Sequence, residues 1–510
     1  MVRRRRELRK GREAAAAGPL RQPAWRRLEN PYAPIEVLSP AGIEAIHEAS
    51  MTVLEDLGIE FLDDRALDIL EVAGAAVDRG RKLVRLDRGL VQEAVAKAPE
   101  RFTLHARNPA RNVVFGGNSI NFDSVGGPPY ASDLDGGRRP GNYRDFCNFI
   151  RLVQQLNVLH VCGGSPIAPI EMDAETRHLD CTYGFITLTD KVWHASGLGR
   201  RRMADAIDMV CIARGKTREE IAKEPSIFTT INANSPRRFD GAMLEGLMES
   251  AENGQPVSIT PFTLSGAMSP VTLAGSLVQQ NAEALAGIAF AQIVAPGAPA
   301  IYGAFTSNVD MKSGAPAFGT PEYAKACLAA GQLARHYRLP YRSSNTNASN
   351  AVDAQATYES GMSLWGSIMG HANLVHHGAG WLEGGLTASF EKAIVDAEML
   401  QMMAEFMRPI EVSKATLAVD AIAQVDPGGH FFGADQTLEL YETAFYSPLL
   451  SDWRNFETWQ EDGAESATRR ANKIWKRLLE DYEPPPIDPA VDEALQAFVA
   501  RRKQEEARDA

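Results

Sequence analysis

The chain has only five cysteines in 510 residues: Cys147, Cys162, Cys181, Cys211 and Cys327. None belongs to a C-x-x-C pair. An odd number at wide spacing argues against a disulfide framework and a cysteine zinc site, and fits a reducing, cytoplasmic compartment. An apolar run of membrane-spanning length is also missing. The uncharged stretch from Ala284 to Val309 is interrupted by Gln292, Pro296, Gly297 and Pro299, and reads as helix, turn, strand. Ala14–Ala17 is too short for the apolar region of a signal peptide. Glycine (42) and proline (29) lack the period of a fibrous protein, and 45% hydrophobic residues exclude a disordered chain.

Positive charge is scarce outside the N-terminus. Residues 1–27 carry ten Lys/Arg and two Asp/Glu, a net +8, which leaves −20 on residues 28–510 of the total −12. The Arg3-Arg4-Arg5-Arg6 run, with Arg9, Lys10 and Arg12, reads as a solvated, disordered basic tail over 1–27. The acidic body argues against general nucleic-acid binding.

Residues 28–112 predict an N-terminal helical cap, with helices over Ala41–Leu57, Asp63–Ala73 and Gly89–Ala98. From about residue 113 to 407, short β-prone runs alternate with helical ones. Eight strands are expected: Ile120–Val125, Leu159–Gly163, Val192–Gly197, Ile227–Asn232, Val257–Phe262, Ala300–Phe305, Tyr341–Asn345 and Leu374–Gly378. Helices such as Asn142–Gln155, Gly241–Glu252 and Ala354–Met369 lie between them. This alternation predicts parallel strands with right-handed crossovers, and eight such units predict an α/β fold of the (β/α)8, or TIM, barrel type. There is no Gly-rich phosphate loop after the first strand, against a doubly wound sheet. Residues 408–510 predict a C-terminal helical extension.

Active sites of such barrels form at the C-terminal ends of the strands. Those ends lack the usual hydrolytic apparatus. There is no pair of opposed carboxylates, no lysine in any of the eight strands, and no G-x-S-x-G. Metal ligands are few: His194 and the pair His376-His377, whose rings should point to opposite faces of a regular strand. No metal site is therefore expected. What remains is aromatic rings and amides: Phe122, Phe262, Tyr302, Phe305 and Trp381, with Arg342, Asn345, Asn347, His376, His377 and Glu383. Ring faces attract a quaternary ammonium at about 0.5–2 kcal/mol per contact, and an arginine with amides orients a carboxylate. The same aromatics equally suit a core, and Glu383 equally suits an ion pair behind the site.

Several motifs together resemble the trimethylamine methyltransferase family. They are Ser265-Gly266-Ala267-Met268-Ser269-Pro270-Val271-Thr272, Gln279-Gln280-Asn281-Ala282-Glu283, Ala354-Gln355-Ala356 with Tyr358-Glu359-Ser360, Gly380-Trp381-Leu382-Glu383-Gly384-Gly385-Leu386, and Pro427-Gly428-Gly429-His430-Phe431. The resemblance covers roughly residues 30–480. It implies a TIM barrel that moves a methyl group from a methylated amine to the cob(I)amide of a separate corrinoid protein, with no cofactor bound directly. His430 and Phe431 join the candidate substrate-binding residues. Founding members of the family carry pyrrolysine; this chain has ordinary residues from Ser343 to Asp353. Members without pyrrolysine look like quaternary-amine demethylases, with glycine betaine as substrate. In that chemistry a neutral tertiary amine departs and no general acid is required. A silent betaine-binding member, and another barrel enzyme such as a metal-dependent hydrolase or lyase, are the alternatives. The aromatic-rich C-terminal helices, such as Tyr441–Tyr446 and Trp453–Trp459, would cover either the barrel or another subunit, the latter giving a homodimer.

Overall fold

The computed structural model describes residues 20–509. Eight parallel strands close into a barrel: β1 Ser119–Ser124, β2 Val161–Cys162, β3 Val192–Ala195, β4 Ile227–Ala233, β5 Val257–Ser265, β6 Ala300–Gly303, β7 Tyr341–Ser344 and β8 Leu374–Ala379. Their order around the ring is their order along the chain, and β8 pairs with β1 to close it. After the strands come α1 Tyr143–Gln155, α2 Arg177–Leu188, α3 Arg200–Arg214, α4 Gly241–Glu252, α5 Leu273–Val294, α6 Pro321–His336, α7 Ala354–Met369 and α8 Phe390–Phe406. All eight expected strands are present. Helix α2 was not among those read from the sequence, because its buried face mixes His178, Thr182 and Gly184 with apolar residues.

The uncharged stretch from Ala284 is explained by burial on all sides. Helix α5 lies against the barrel, and the helices Pro40–Thr52 and Arg88–Val95 pack on its outer side. No helix among the described residues is long and apolar enough to cross a membrane.

The N-terminal region is less helical than expected. Strands Ile59–Phe61, Ala76–Asp78 and Leu83–Arg85 form a small sheet with Arg238–Phe239, from the loop after β4. A hairpin of Phe102–Leu104 and Val113–Phe115 plugs the end of the barrel where the strands begin. Its Leu104, Val113 and Phe115 form one buried cluster with Val161, Val192, Phe228, Ile301 and Leu374, the inward residues at the strand starts. The region thus seals the floor with its hairpin, covers α5 with its helices, and reaches the loop after β4 with its sheet.

Residues 20–27, grouped with the basic tail on charge, run along the barrel. The Trp25 ring lies 5.8 Å from that of His160, and Arg26 Nη2 donates to the Ala404 carbonyl at 2.9 Å. The Arg3–Arg12 run lies outside the described residues. After α8, residues 408–456 form short helices that leave Ile410, Phe432 and Phe445 exposed. The chain then returns as α9 Ala467–Glu480, packed on α8, and α10 Pro489–Asp509, packed on α2 and α3. Arg502 Nε donates to Asp205 at 2.7 Å there.

The floor plug generates one prediction. Phe115 is fully buried and its ring stacks on Phe102 at 5.2 Å. Phe115→Ala should lower stability by about 3–5 kcal/mol in urea unfolding; an unchanged midpoint would show that the hairpin does not bear on the core.

Candidate functional site

A cavity of about 690 Å³ opens at the C-terminal ends of the strands and extends sideways between β3 and helices α2 and α3. Period-two alternation decides which residues reach it. On β6, Ile301 faces the floor and Phe305, just past the strand end, faces the cavity, while Tyr302 points outward. On β7, Arg342 faces inward between the outward Tyr341 and Ser343. His194 of β3, Thr230 and Asn232 of β4, and Thr260 and Phe262 of β5 complete the lining.

The alternation fails at one place. Val375 pairs with Phe122 and Ala379 with Ser124, so four residues of β8 span what two residues of β1 cover. His377 takes a left-handed backbone there, φ +56°. The bulge turns both histidines into the cavity, with ring centroids 3.9 Å apart, against the expectation of opposite faces. Gly378 is required because a Cβ would lie 2.6 Å from the Asp123 carbonyl oxygen.

The bulge is held from behind. Asn345 donates its backbone N–H to the His376 carbonyl at 2.9 Å, and its amide to the Gly378 carbonyl at 2.9 Å and to Asp396 at 3.2 Å. Asp396 also accepts from Gly380 N–H at 2.9 Å and from Lys392 Nζ. Lys392 and Asp396 are both fully buried. Burial pushes the Asp396 carboxyl up, opposed by Lys392. Asn347 clamps the next segment: its amide donates to the Trp381 carbonyl at 2.7 Å, and Trp381 Nε1 donates to the Asn347 carbonyl at 3.0 Å.

The aromatic wall centres on Phe305. Its ring lies 5.1 Å from Phe262, 6.0 Å from Trp381 and 6.2 Å from His377. The Arg342 guanidinium sits 5.4 Å over the same ring. Arg342 is buried, yet its Nη1 reaches only the Ala304 carbonyl, at 3.4 Å, and its Nε has no partner. Burial pushes its pKa down to about 10, which leaves it charged at neutral pH. The three imidazoles are different. Burial, then the positive neighbours, pushes His194 and His377 well below the usual histidine range, and burial with Arg342 does the same to His376. His376 Nδ1 lies 2.5 Å from Asp123 Oδ2, His377 Nδ1 accepts from Gly126 N–H at 3.3 Å, and His194 Nε2 meets Thr230 Oγ1 at 2.9 Å.

The structure thus brings Phe262, Phe305, Arg342, His376, His377 and Trp381 together on one cavity. It does not bring the rest. Phe122 faces outward, its ring against His160. Tyr302 is fully buried and donates to Asn281 of α5 at 2.9 Å. Asn345 and Asn347 act on the bulge and on Trp381 as described. Glu383 lies behind the neighbouring Gly384 and pairs with Arg138 at 2.8 Å. His430 and Phe431 sit in the exposed C-terminal segment. Asp123 and Trp193 were not among the candidates, and His194 was weighed only as a metal ligand. Strand parity was the available signal for Asp123, which is the inward neighbour of Phe122.

Among the described residues no group of three His, Cys, Asp or Glu is placed to hold a metal ion. The inner end of the cavity, with its rings, neutral imidazoles and the buried, unpaired Arg342 guanidinium, suits a ligand that carries a carboxylate and an apolar or cationic end, while Arg177 and Arg202 line the sideways extension.

The Lys392–Asp396 pair gives a stability prediction. Asp396→Ala leaves the Lys392 ammonium buried without its partner and should cost about 3–5 kcal/mol. The double variant Lys392→Met, Asp396→Leu should recover part of that loss. Urea unfolding of both variants measures the difference.

The chain is similar to known proteins along nearly its whole length. The family profile for trimethylamine methyltransferase (MTTB) matches residues 3–507. A glycine betaine methyltransferase of Desulfitobacterium hafniense (strain Y51) is 39% identical over 470 residues, covering 92% of this chain and 97% of that protein. The trimethylamine methyltransferase MttB of Desulfitobacterium hafniense (strain DSM 10664 / DCB-2) is 30% identical, covering 90% and 92%. A solved monomethylamine methyltransferase (MtmB) of Methanosarcina barkeri aligns over 88% of this chain and 93% of its own, at 9% identity and a TM-score of 0.44. The profile match across nearly the whole chain places it: this protein belongs to the trimethylamine methyltransferase family.

Proposed function

We propose that the protein transfers a methyl group from a carboxylated quaternary amine of the glycine betaine type to the Co(I) corrinoid of a partner protein. The observation that carries this reading is the unpaired, buried Arg342 guanidinium beside the ring wall of Phe262, Phe305 and Trp381. A betaine is neutral overall. Its carboxylate answers Arg342, and its ammonium lies against the ring faces and neutral imidazoles. A cation without a carboxylate leaves Arg342 unanswered in a low-dielectric site, which disfavours choline and trimethylamine.

The chemistry asks little of the protein. The nitrogen already carries a positive charge, so the departing group is a neutral amine. The chain binds the ligand, aims one methyl at the mouth and excludes water. The ordinary residues of β7 and its following loop serve this without pyrrolysine. The corrinoid belongs to the partner and no cofactor is held by this chain itself; the reaction takes place in the cytoplasm.

The assembly is a homodimer in this reading. Residues 408–456 expose Ile410, Val412, Phe432, Tyr441, Phe445 and Trp453. Their root is the end of α8, where Phe406 and Trp365 form another exposed apolar patch, rings 5.2 Å apart. Helices of four to six residues are not stable in water alone, and a second copy of the chain supplies a matching apolar surface for both.

Titration calorimetry with glycine betaine and choline tests the substrate class. Arg342→Ala should weaken glycine betaine by about 1.5–3 kcal/mol, roughly 10- to 150-fold, and leave choline no weaker. Equal losses for the two ligands would remove the carboxylate clamp. Turnover with cob(I)alamin then checks the reaction itself.

A further inference from the structure

The reaction as proposed leaves one charge unaccounted for. When the C–N bond breaks, both electrons stay on nitrogen. The cavity that held a cation now holds a basic, uncharged amine. In water such an amine takes a proton at neutral pH; in this cavity the proton must come from a side chain.

One pair of residues is built for that. Asp123 is completely buried beneath the cavity, and its Oδ2 meets His376 Nδ1. Its other oxygen, Oδ1, has no partner. A buried carboxylate with one unpaired oxygen is costly, and a carboxylic acid much less so. The imidazole of His376 lines the cavity, and with Nδ1 on Asp123 only the opposite nitrogen, Nε2, is left for a ligand. Arg342 of β7 stands close enough to favour an Asp123 carboxylate. His194 of β3 has its ring 5.6 Å from His376, His377 of β8 stacks on it, and Cys162 of β2 lies near Asp123. None of these three can supply a proton to His376 in its resting state. His194 and His377 are held neutral, and burial pushes the Cys162 thiol far up.

Resting on the betaine reading above, we propose that Asp123 and His376 form a proton relay that protonates the tertiary amine as the methyl group leaves. His376 is the catalytic donor and Asp123 the positioning group that holds the proton in reserve. The step balances. The methyl carbon forms its new bond with the electron pair of the reduced corrinoid. The nitrogen lone pair takes the proton from His376 Nε2. Nδ1 takes the proton from Asp123, which becomes a carboxylate facing Arg342. The resting pair is restored by one proton from solvent after the product departs. The relay is not needed to break the C–N bond. It makes the product an ammonium that cannot take the methyl group back, and it keeps a cation against the aromatic wall throughout.

Burial supports the resting state: it pushes the Asp123 carboxyl well above the usual range and the His376 imidazole well below. The pair then carries its proton as acid and neutral imidazole, titrating as a unit.

The test needs no turnover. Glycine betaine has no N–H, whereas N,N-dimethylglycine arrives in water with a protonated nitrogen. Binding of dimethylglycine should bring the relay to its product state and expel about one proton, while binding of glycine betaine expels none. Calorimetry in buffers of different ionisation enthalpy counts those protons. Asp123→Asn should abolish the release and shift the affinity ratio against dimethylglycine by about tenfold; His376→Gln should do the same if the first variant does not fold. Glycine betaine binding together with dimethylglycine binding that releases no proton in the unmodified protein overturns the relay alone. Failure of both ligands to bind overturns the betaine reading, and the relay with it.

Discussion

The site depends on a buried ion pair that never touches it. Lys392 and Asp396 lie one turn apart on α8, both without solvent contact. Asp396 gathers the Gly380 N–H and the Asn345 amide, and Asn345 in turn holds the carbonyls of His376 and Gly378. A regular β8 would send one histidine into the helix layer. The two extra residues of the bulge, fixed by this cluster, put both rings and then Trp381 on the same side. The energetic cost of dehydrating two charges is offset by their mutual contact and by the Ser360, Asn345 and Gly380 hydrogen bonds, and the gain is a strand end in one defined shape.

The electrostatics follow from the same burial. Three imidazoles and a carboxyl are all driven toward their uncharged forms, and the Arg342 guanidinium beside them keeps its charge. Removing water strengthens whatever charge remains. Selectivity in such a site comes less from the number of contacts than from the penalty on a ligand that leaves Arg342 without an anion.

The barrel was legible in the sequence because eight β-prone runs recur every 30 to 43 residues with helices between, and nothing local contradicts that order. The ring wall was half legible. Phe262, Phe305 and Trp381 reach the cavity, but Phe122 and Tyr302 miss it by one position of strand parity, which short strands do not reveal without their register. Asn345 and Asn347 read as amides that would orient a carboxylate, yet their N–H groups donate to the carbonyls of Gly378 and Trp381. The bulge itself carries no pattern beyond Gly378, so adjacent histidines read as opposed. The N-terminal region read as helical because its strands are three residues long. His430 and Phe431 entered through a motif, and their exposure suits a surface contact better than a pocket.

The hairpin that plugs the strand starts also makes the barrel one-ended. With the floor closed by Phe115 and Phe228, the cavity is reached from the loops at the strand ends and beside β3, and not through the strand starts. Whatever enters on that side must leave by it.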